Sequence, residues 1–502
     1  MQDSAGPTSP RAPRLRVAVV GSGPAGLYTA EALVKQSALL PNPVDIRVDV
    51  LDRLPTPYGL VRYGVAPDHK SIKSVANYLR RVLESPGVEF IGGVHFGTDV
   101  TREDLLRVYD AVVYATGAMR DRRLAIPGED LPGSYAATDF VNWYCGHPDI
   151  APDAFTLDAE SVAVIGVGNV AVDVARILAR DPAELEETDI PEPAMAALRA
   201  SKVREVHVIG RRGPAQAKFT TKELRELGEL AGVATSVDPA ELDLEGGFDA
   251  SGESVALASA DRRVRGNLVA MNGWAGDRAD AARKLRLLFW RRPVEIQQSS
   301  SGTTGGLHLE RTRLSADGKF EGTGDYETLP VQMVLRSVGY QSVPLPGVPF
   351  DPATHTVPNA GGRVLSETGE PLPGEYVAGW LKRGPTGVIG TNKADAAETV
   401  QALLADLAGG PDRGEPKLPR PGLLRRPDVV TPDDGAAPDV TFPGNTSPLS
   451  GVLSDRGVEP VSYTEWLRIE EAEAALARAL ARGDRVKLPN SDAIWSAAGR
   501  QR

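Results

Sequence analysis

Two glycine-rich runs carry the first readable chemistry. In Gly21-Ser22-Gly23-Pro24-Ala25-Gly26 the first glycine permits a tight turn and the second lets backbone approach a pyrophosphate. The third allows a helix to lie close on a strand, and the start of that helix offers partial positive charge to the anion. Asp52 closes the next apolar run and is placed to accept bonds from ribose hydroxyls. Gly166-Val167-Gly168-Asn169-Val170-Ala171 repeats the pattern with alanine at the close-packed position. The residues after its next strand differ in sign. Arg211-Arg212 stands where an NAD-binding domain would carry an acid, and two guanidiniums suit a 2′-phosphate. A ribose acid at one site and an arginine pair at the other point to FAD and NADP(H), with the flavin accepting a hydride and holding two electrons.

Cysteine usage bounds where those electrons go. Cys145 is the one cysteine in 502 residues, which rules out an internal disulfide, a Cys-x-x-Cys redox pair and a four-thiolate iron–sulfur site. It reads as a plain buried small residue. The six histidines are scattered without metal-ligand spacing, so no metal site is expected. Electrons therefore leave to oxygen, to a small acceptor or to another protein.

The elements that must hold these turns follow a βαβ rhythm. Residues 16–20 form a β-branched run into the first glycine turn, and 27–36 read as an Ala/Leu-rich helix. Residues 46–51 and 111–117 read as further strands. The rhythm restarts with a strand at 161–165, a helix at 172–179 and a strand at 206–209. A strand at 375–380, a glycine-rich turn at 382–392 and another helix return the chain to the first unit. The fold class is α/β: two doubly wound, Rossmann-like dinucleotide-binding domains, the second inserted into the first. The FAD-binding domain takes residues 13–118 and 345–408, and the NADP-binding domain 119–344. Residues 409–448 hold nine prolines and read as an extended linker. The remainder to 502 carries a capping box at 462–465 and a helix at 466–482 stopped at Gly483, packing on the FAD domain.

Composition narrows the partners. A net charge of −11 makes nucleic acid a poor default ligand. No apolar run approaches about 18 residues, so membrane insertion is not expected. The opening residues lack an apolar core of the secretory kind, and a cytoplasmic location is expected.

Five blocks lie in one order between about residues 15 and 405: RLPTPYGLVRYGVAPDH at 53–69, NVAVDVAR at 169–176, GRRGP at 210–214, RSVGY at 336–340 and GWLKRGPTGVIGTN at 379–392. Together they resemble the adrenodoxin-reductase-type ferredoxin–NADP reductases, the last block most specifically. The resemblance implies FAD contacts at Ala25, Asp52, Leu60, Val94 and Trp380, with the backbone of Gly387, Val388 and Ile389. It implies NADP contacts at Gly168, Asn169, Val170, Ala171, Arg211, Arg212 and Glu223, with Gly387 near the nicotinamide. His69 would approach the flavin and relay protons with Glu226. Asp52 is one methylene shorter than the glutamate usual in the family, and Tyr58 and Tyr63 stand where other aromatics are common.

The activity so implied is hydride transfer from NADPH to FAD, then single-electron transfer to a ferredoxin. The alternative is an FAD/NADPH-dependent monooxygenase or oxidase that uses oxygen directly. A cytochrome P450 beyond the ferredoxin is one terminal acceptor. Ferredoxins are typically acidic, and residues 261–292 hold nine Lys/Arg against three Asp, either a docking patch or an ordinary solvated face.

Overall fold

The computed structural model describes residues 14–276, 281–408 and 447–501. Apolar runs build two open sheets. The parallel centre of the first runs in the order Pro371–Val377, Ala111–Tyr114, Arg14–Val20, Asp45–Leu51 and Val88–Gly92. Val17, Val19, Val48, Val50, Val113 and Val377 are all fully buried, as strands covered on both faces require. Antiparallel strands finish its edges, Asn359–Ala360 and Arg363–Leu365 on one side and Val461–Ser462 on the other.

The second sheet is parallel throughout, in the order Ser134–Ala136, Met333–Arg336, Ser161–Ile165, Glu205–Ile209, Arg283–Leu288 and Val233–Val237. The chain passes from the first sheet to the second and back through a two-stranded ribbon, Arg120–Asp121 with Tyr340–Gln341. Two doubly wound units result, one set within the other. No helix among the described residues is long and apolar enough to cross a membrane.

Three elements differ from expectation. Residues 291–329 form a separate antiparallel sheet of Arg291–Gln298, Thr304–Leu314 and Phe320–Leu329, whose last strand is polar and half-exposed and so shows no apolar run. The strand expected at 375–380 ends at Val377, because Gly379 turns the chain at φ +74 and Trp380 opens the one-turn helix Trp380–Arg383. The last long helix spans Tyr463–Leu480. The Ser462/Glu465 capping box starts it earlier than expected, and Ala481, left-handed at φ 51, ends it ahead of Gly483. Residues 409–446, most of the expected proline-rich linker, lie outside the described residues.

The closing segment touches both units. Glu473, fully buried, forms an ion pair with buried Arg62, and Trp466 lies edge-on to Tyr58 at 6.0 Å. Arg482 reaches Glu186 (3.0 Å) and Glu192 (2.8 Å) in the inserted unit. Lys487 donates from Nζ to the carbonyls of Arg62 and Cys145, each at 2.7 Å, with Asp189 at 3.4 Å. Burial pulls its ammonium down to about 8 against the opposing pull of Asp189. The segment expected to pack on the FAD domain thus also grips the inserted unit.

Candidate active site

The first glycine turn is shaped by overlap. Gly21 leaves its strand at φ +114, and a Cβ there would press on the Ala115 carbonyl. Gly26 lies so close to Gly21 O that a Cβ would overlap it. Gly23 precedes the helix Pro24–Ala38 with extended backbone; no side chain caps that helix and its first turn holds no acid. The N–H groups at its start stay open to an anion.

The residues expected around FAD gather here. Asp52 accepts from the Ser22 N–H (3.0 Å) and hydroxyl and from the Leu54 N–H (3.0 Å), so the shorter acid braces the glycine turn itself. Val94 donates its N–H to the Asp52 carbonyl at 2.9 Å. Leu60 opens a one-turn helix behind Gly59, whose backbone meets Gly23; a Cβ on Gly59 would sit 2.9 Å from Gly23 Cα. Ala25 packs against Gly379, where a Cβ would overlap it, and this seats Trp380 beside the turn.

Trp380 stacks on Tyr340 with centroids 5.6 Å apart and donates Nε1–H to the Thr386 carbonyl at 3.2 Å. Gly387, Val388 and Ile389 lead into the helix Thr391–Ala408, and apolar Val388 is 64% exposed there. Tyr58 is buried at φ +83, and burial pushes its hydroxyl up to about 12. Tyr63 shares a 2.8 Å hydrogen bond with Thr56. An uncapped helix start, two facing glycines and an apolar, partly exposed rim fit a dinucleotide carrying a flat ring.

The second turn repeats the geometry. Gly166, at φ +136, would overlap the Ser337 carbonyl with any Cβ. Gly168 precedes the helix Asn169–Ala179, again with no side-chain cap and no acid in the first turn. Asn169 Oδ1 accepts the Thr220 N–H at 2.8 Å, Val170 is half-buried and Ala171 fully buried. Arg211 and Arg212 are exposed, and neither side chain has a hydrogen bond or ion pair among the described residues; Arg211 only lies 5.9 Å from the Phe320 ring centroid. These free cations beside an uncapped helix fit a phosphorylated dinucleotide. Glu223 instead accepts the Thr220 hydroxyl, while Thr220 caps the helix Thr221–Gly228 by accepting the Glu223 N–H.

A Cβ at Gly168 would meet nothing within 4 Å. Gly168→Val is therefore expected to keep the wild-type Tm while raising KM for NADPH about tenfold or more, a binding cost of about 1.4 kcal/mol. Gly166→Ala, which would strike backbone, is the contrasting variant. If Gly168→Val melts as early as Gly166→Ala, the space in front of Gly168 belongs to the fold and not to a ligand.

At the seam between the units the charges converge. Arg176, fully buried on the helix Asn169–Ala179, bonds Asp68 of the first unit through Nε (2.6 Å) and Nη2 (2.9 Å). Nη2 also lies 2.9 Å from Asp173, and Nη1 faces Glu226 at 3.4 Å. Buried His69 meets Asp173 through Nε2 at 2.9 Å, while its Nδ1 is 3.8 Å from Glu226. The expected His69–Glu226 pair is thus brought within ion-pair range, but the hydrogen bond goes to Asp173. Burial alone would lower the imidazole pKa; the Asp173 bond and charge outweigh it and hold it above the ordinary value. Burial would likewise raise Asp68, and Arg176 keeps it below the usual carboxylate range. Asp173 and Arg176 stood in the NVAVDVAR block, but their approach to Asp68 and His69 is a contact between units that spacing does not encode.

The basic stretch 261–292 is not one surface. Arg291 is buried against Glu241, Arg292 pairs with Glu310, and Arg283 donates to the carbonyls of Ala179 (3.0 Å) and Arg180 (2.7 Å), closing a helix end. Lys284 and Arg286 lie on a strand inside the second sheet. Arg262 and Arg265 remain exposed without an acidic partner among the described residues. Arg278, Asp277 and Asp280 lie outside the described residues.

Residues 15–231 match the pyridine nucleotide-disulphide oxidoreductase family. The NADPH-ferredoxin reductase FprA of Mycobacterium tuberculosis is 45% identical over 406 residues, 80% of this chain and 86% of that protein. The mitochondrial NADPH:adrenodoxin oxidoreductase of Bos taurus is 40% identical over 479 residues, 92% of this chain and 88% of that one. The solved structure of M. tuberculosis FprA in complex with NADPH matches with a TM-score of 0.83 at 39% identity, covering 97% of this chain and 99% of that one. By identity and coverage together, the chain belongs to the NADPH-dependent ferredoxin and adrenodoxin reductase family.

Proposed function

We propose that this protein is a flavoprotein reductase that carries reducing equivalents from NADPH, by way of FAD, to a ferredoxin-type iron–sulfur protein. When bound, NADPH supplies a hydride, and FAD takes it and gives up the electrons one at a time. The observation that carries the reading is the asymmetry of two otherwise equivalent glycine turns: among the described residues, only the second has unpaired arginines beside it. The names of the relatives, NADPH-ferredoxin reductase and NADPH:adrenodoxin oxidoreductase, support it.

Each residue has a task in this reading. The helix starts behind Gly21, Gly23, Pro24 and Gly26, and behind Gly166 and Gly168, hold the two pyrophosphates. Arg211 and Arg212 grip the 2′-phosphate, with Glu223, Asn169, Val170 and Ala171 along the same nucleotide. Asp52 keeps the first turn in shape beside the ribose, while Ala25, Leu60, Val94, Trp380 and the backbone of Gly387, Val388 and Ile389 enclose the ring. His69 meets Asp173 through Nε2 and Glu226 faces its Nδ1, so the pair is placed to pass protons at the seam.

We take the partner to be an acidic ferredoxin, which the exposed Arg262 and Arg265 suit, with a cytochrome P450 as one acceptor beyond it. A single buried cysteine is in keeping with a reducing, cytoplasmic setting. Anaerobic titration of the purified protein with NADPH is expected to bleach flavin absorbance, and a ferredoxin then to be reduced much faster than oxygen is consumed. Flavin bands that NADPH leaves unbleached, or oxygen as the fast acceptor, would overturn the reading.

A further inference from the structure

We propose that Arg176 is a positioning residue for the seam histidine: by holding Asp68 of the outer unit and Asp173 of its own helix in one fork, it fixes the ring of His69 and sets how tightly that ring keeps its proton. The assignment rests on the seam being where the two nucleotides meet.

The geometry leaves little freedom. Nε and Nη2 make the two-pronged contact with Asp68, and Nη2 is shared with Asp173, the residue that hydrogen-bonds His69. A planar guanidinium with both prongs committed cannot rotate without releasing one carboxylate. Asp68 is the chain neighbour of His69, so the same fork fixes the imidazole from its backbone side and from its ring side. Nη2 itself lies 2.8 Å from His69 Nε2, within the shell of the ring it positions.

Charge gives the fork a second effect. The groups that face His69 are Asp68 from its own loop, Asp173 and Arg176 from the helix Asn169–Ala179, and Glu226 from the helix Thr221–Gly228. Arg180 stands 3.6 Å from Asp68. Tyr144, Cys145 and Tyr340, each within electrostatic reach of Asp173, are all pushed up by burial and therefore uncharged near neutrality. Three carboxylates against two guanidiniums leave one negative charge, which a proton on His69 cancels. Removing Arg176 adds to the negative excess and should raise the imidazole pKa, whereas removing the charge of Asp68 should lower it.

The experiment is an NMR titration of the histidine Cε1–H resonances in the FAD-loaded protein, with His69 assigned by comparison with His69→Gln. Arg176→Gln is expected to displace the His69 titration upward by about one pH unit or more, and Asp68→Asn downward by a similar amount. Arg176→Lys keeps the charge without the fork. Its titration should stay near wild type while NADPH-driven flavin reduction slows about tenfold, the loss expected from a slightly misplaced group. A His69 titration that moves in neither Arg176→Gln nor Asp68→Asn, or moves the same way in both, would overturn the assignment. If Arg176→Gln does not accumulate as folded protein, Asp68→Asn decides alone, and an unmoved titration there overturns it. This failure is distinguishable from failure of the electron-transfer reading, which shows instead as wild-type flavin that NADPH does not bleach.

Discussion

Replacing Arg211 and Arg212 together by Gln is expected to lower kcat/KM for NADPH about 10²-fold or more, since each charge-assisted bond to a phosphate contributes roughly 1.5–3 kcal/mol. NADH should be nearly unaffected, because it has no 2′-phosphate for the pair to meet. The structure sharpens the expectation. Neither guanidinium has an acidic partner among the described residues, so the substitution strands no buried carboxylate. The backbone between the Glu205–Ile209 strand and Gly213 keeps its own bonds, including Arg291 N–H to the Gly210 carbonyl at 3.0 Å. Steady-state kinetics with both coenzymes decide the matter. Equal losses for NADPH and NADH would show that the pair does not read the phosphate.

Gly23→Val is expected to yield a folded protein that retains almost no FAD. Gly23 has φ −72, so no left-handed backbone is lost by adding a side chain; in this turn that constraint belongs to Gly21. A Cβ at Gly23 would come only within 3.9 Å of Gly59 Cα, an ordinary contact. What the branched side chain removes is the space through which backbone approaches a pyrophosphate. Gly26→Ala is the matching control, since its Cβ would overlap Gly21 O and should compromise the fold itself. Visible absorbance and a thermal melt on both variants separate the cases. Stoichiometric flavin on Gly23→Val would remove this turn from the FAD site.

Both glycine turns were legible because their constraints are local. A buried parallel strand is a short continuous run of β-branched residues, and Gly21 and Gly166 come directly after such runs. The polar strand Phe320–Leu329 had no such signal, because it pairs on one side only and buries none of its residues fully. Charge counts misled for a related reason. Arg283, Arg286 and Arg291 are near in sequence, yet one closes a helix end, one lies along a strand and one is buried on Glu241. Nor does a sequence announce a buried Lys487 or Glu473, whose partners Asp189 and Arg62 come from distant parts of the chain. His69 stands out in the sequence as a candidate, but its hydrogen-bond partner depends on how the two units meet.

The uneven sources of the two sheets set an order of assembly. The second sheet draws every strand from between residues 134 and 336, whereas Ala111–Tyr114 in the first must wait for Pro371–Val377, and Val88–Gly92 for Val461–Ser462. On the ribosome the later-begun unit therefore has its complete set of strands while the earlier one still holds an open edge. The inserted unit closes first and shortens the loop that the outer sheet has to bridge, so its folding lowers the entropic cost of completing the flavin unit. A released chain ending shortly after residue 341 would hold a complete coenzyme unit tethered to an unfinished sheet, with Ala111–Tyr114 exposed as a sticky edge.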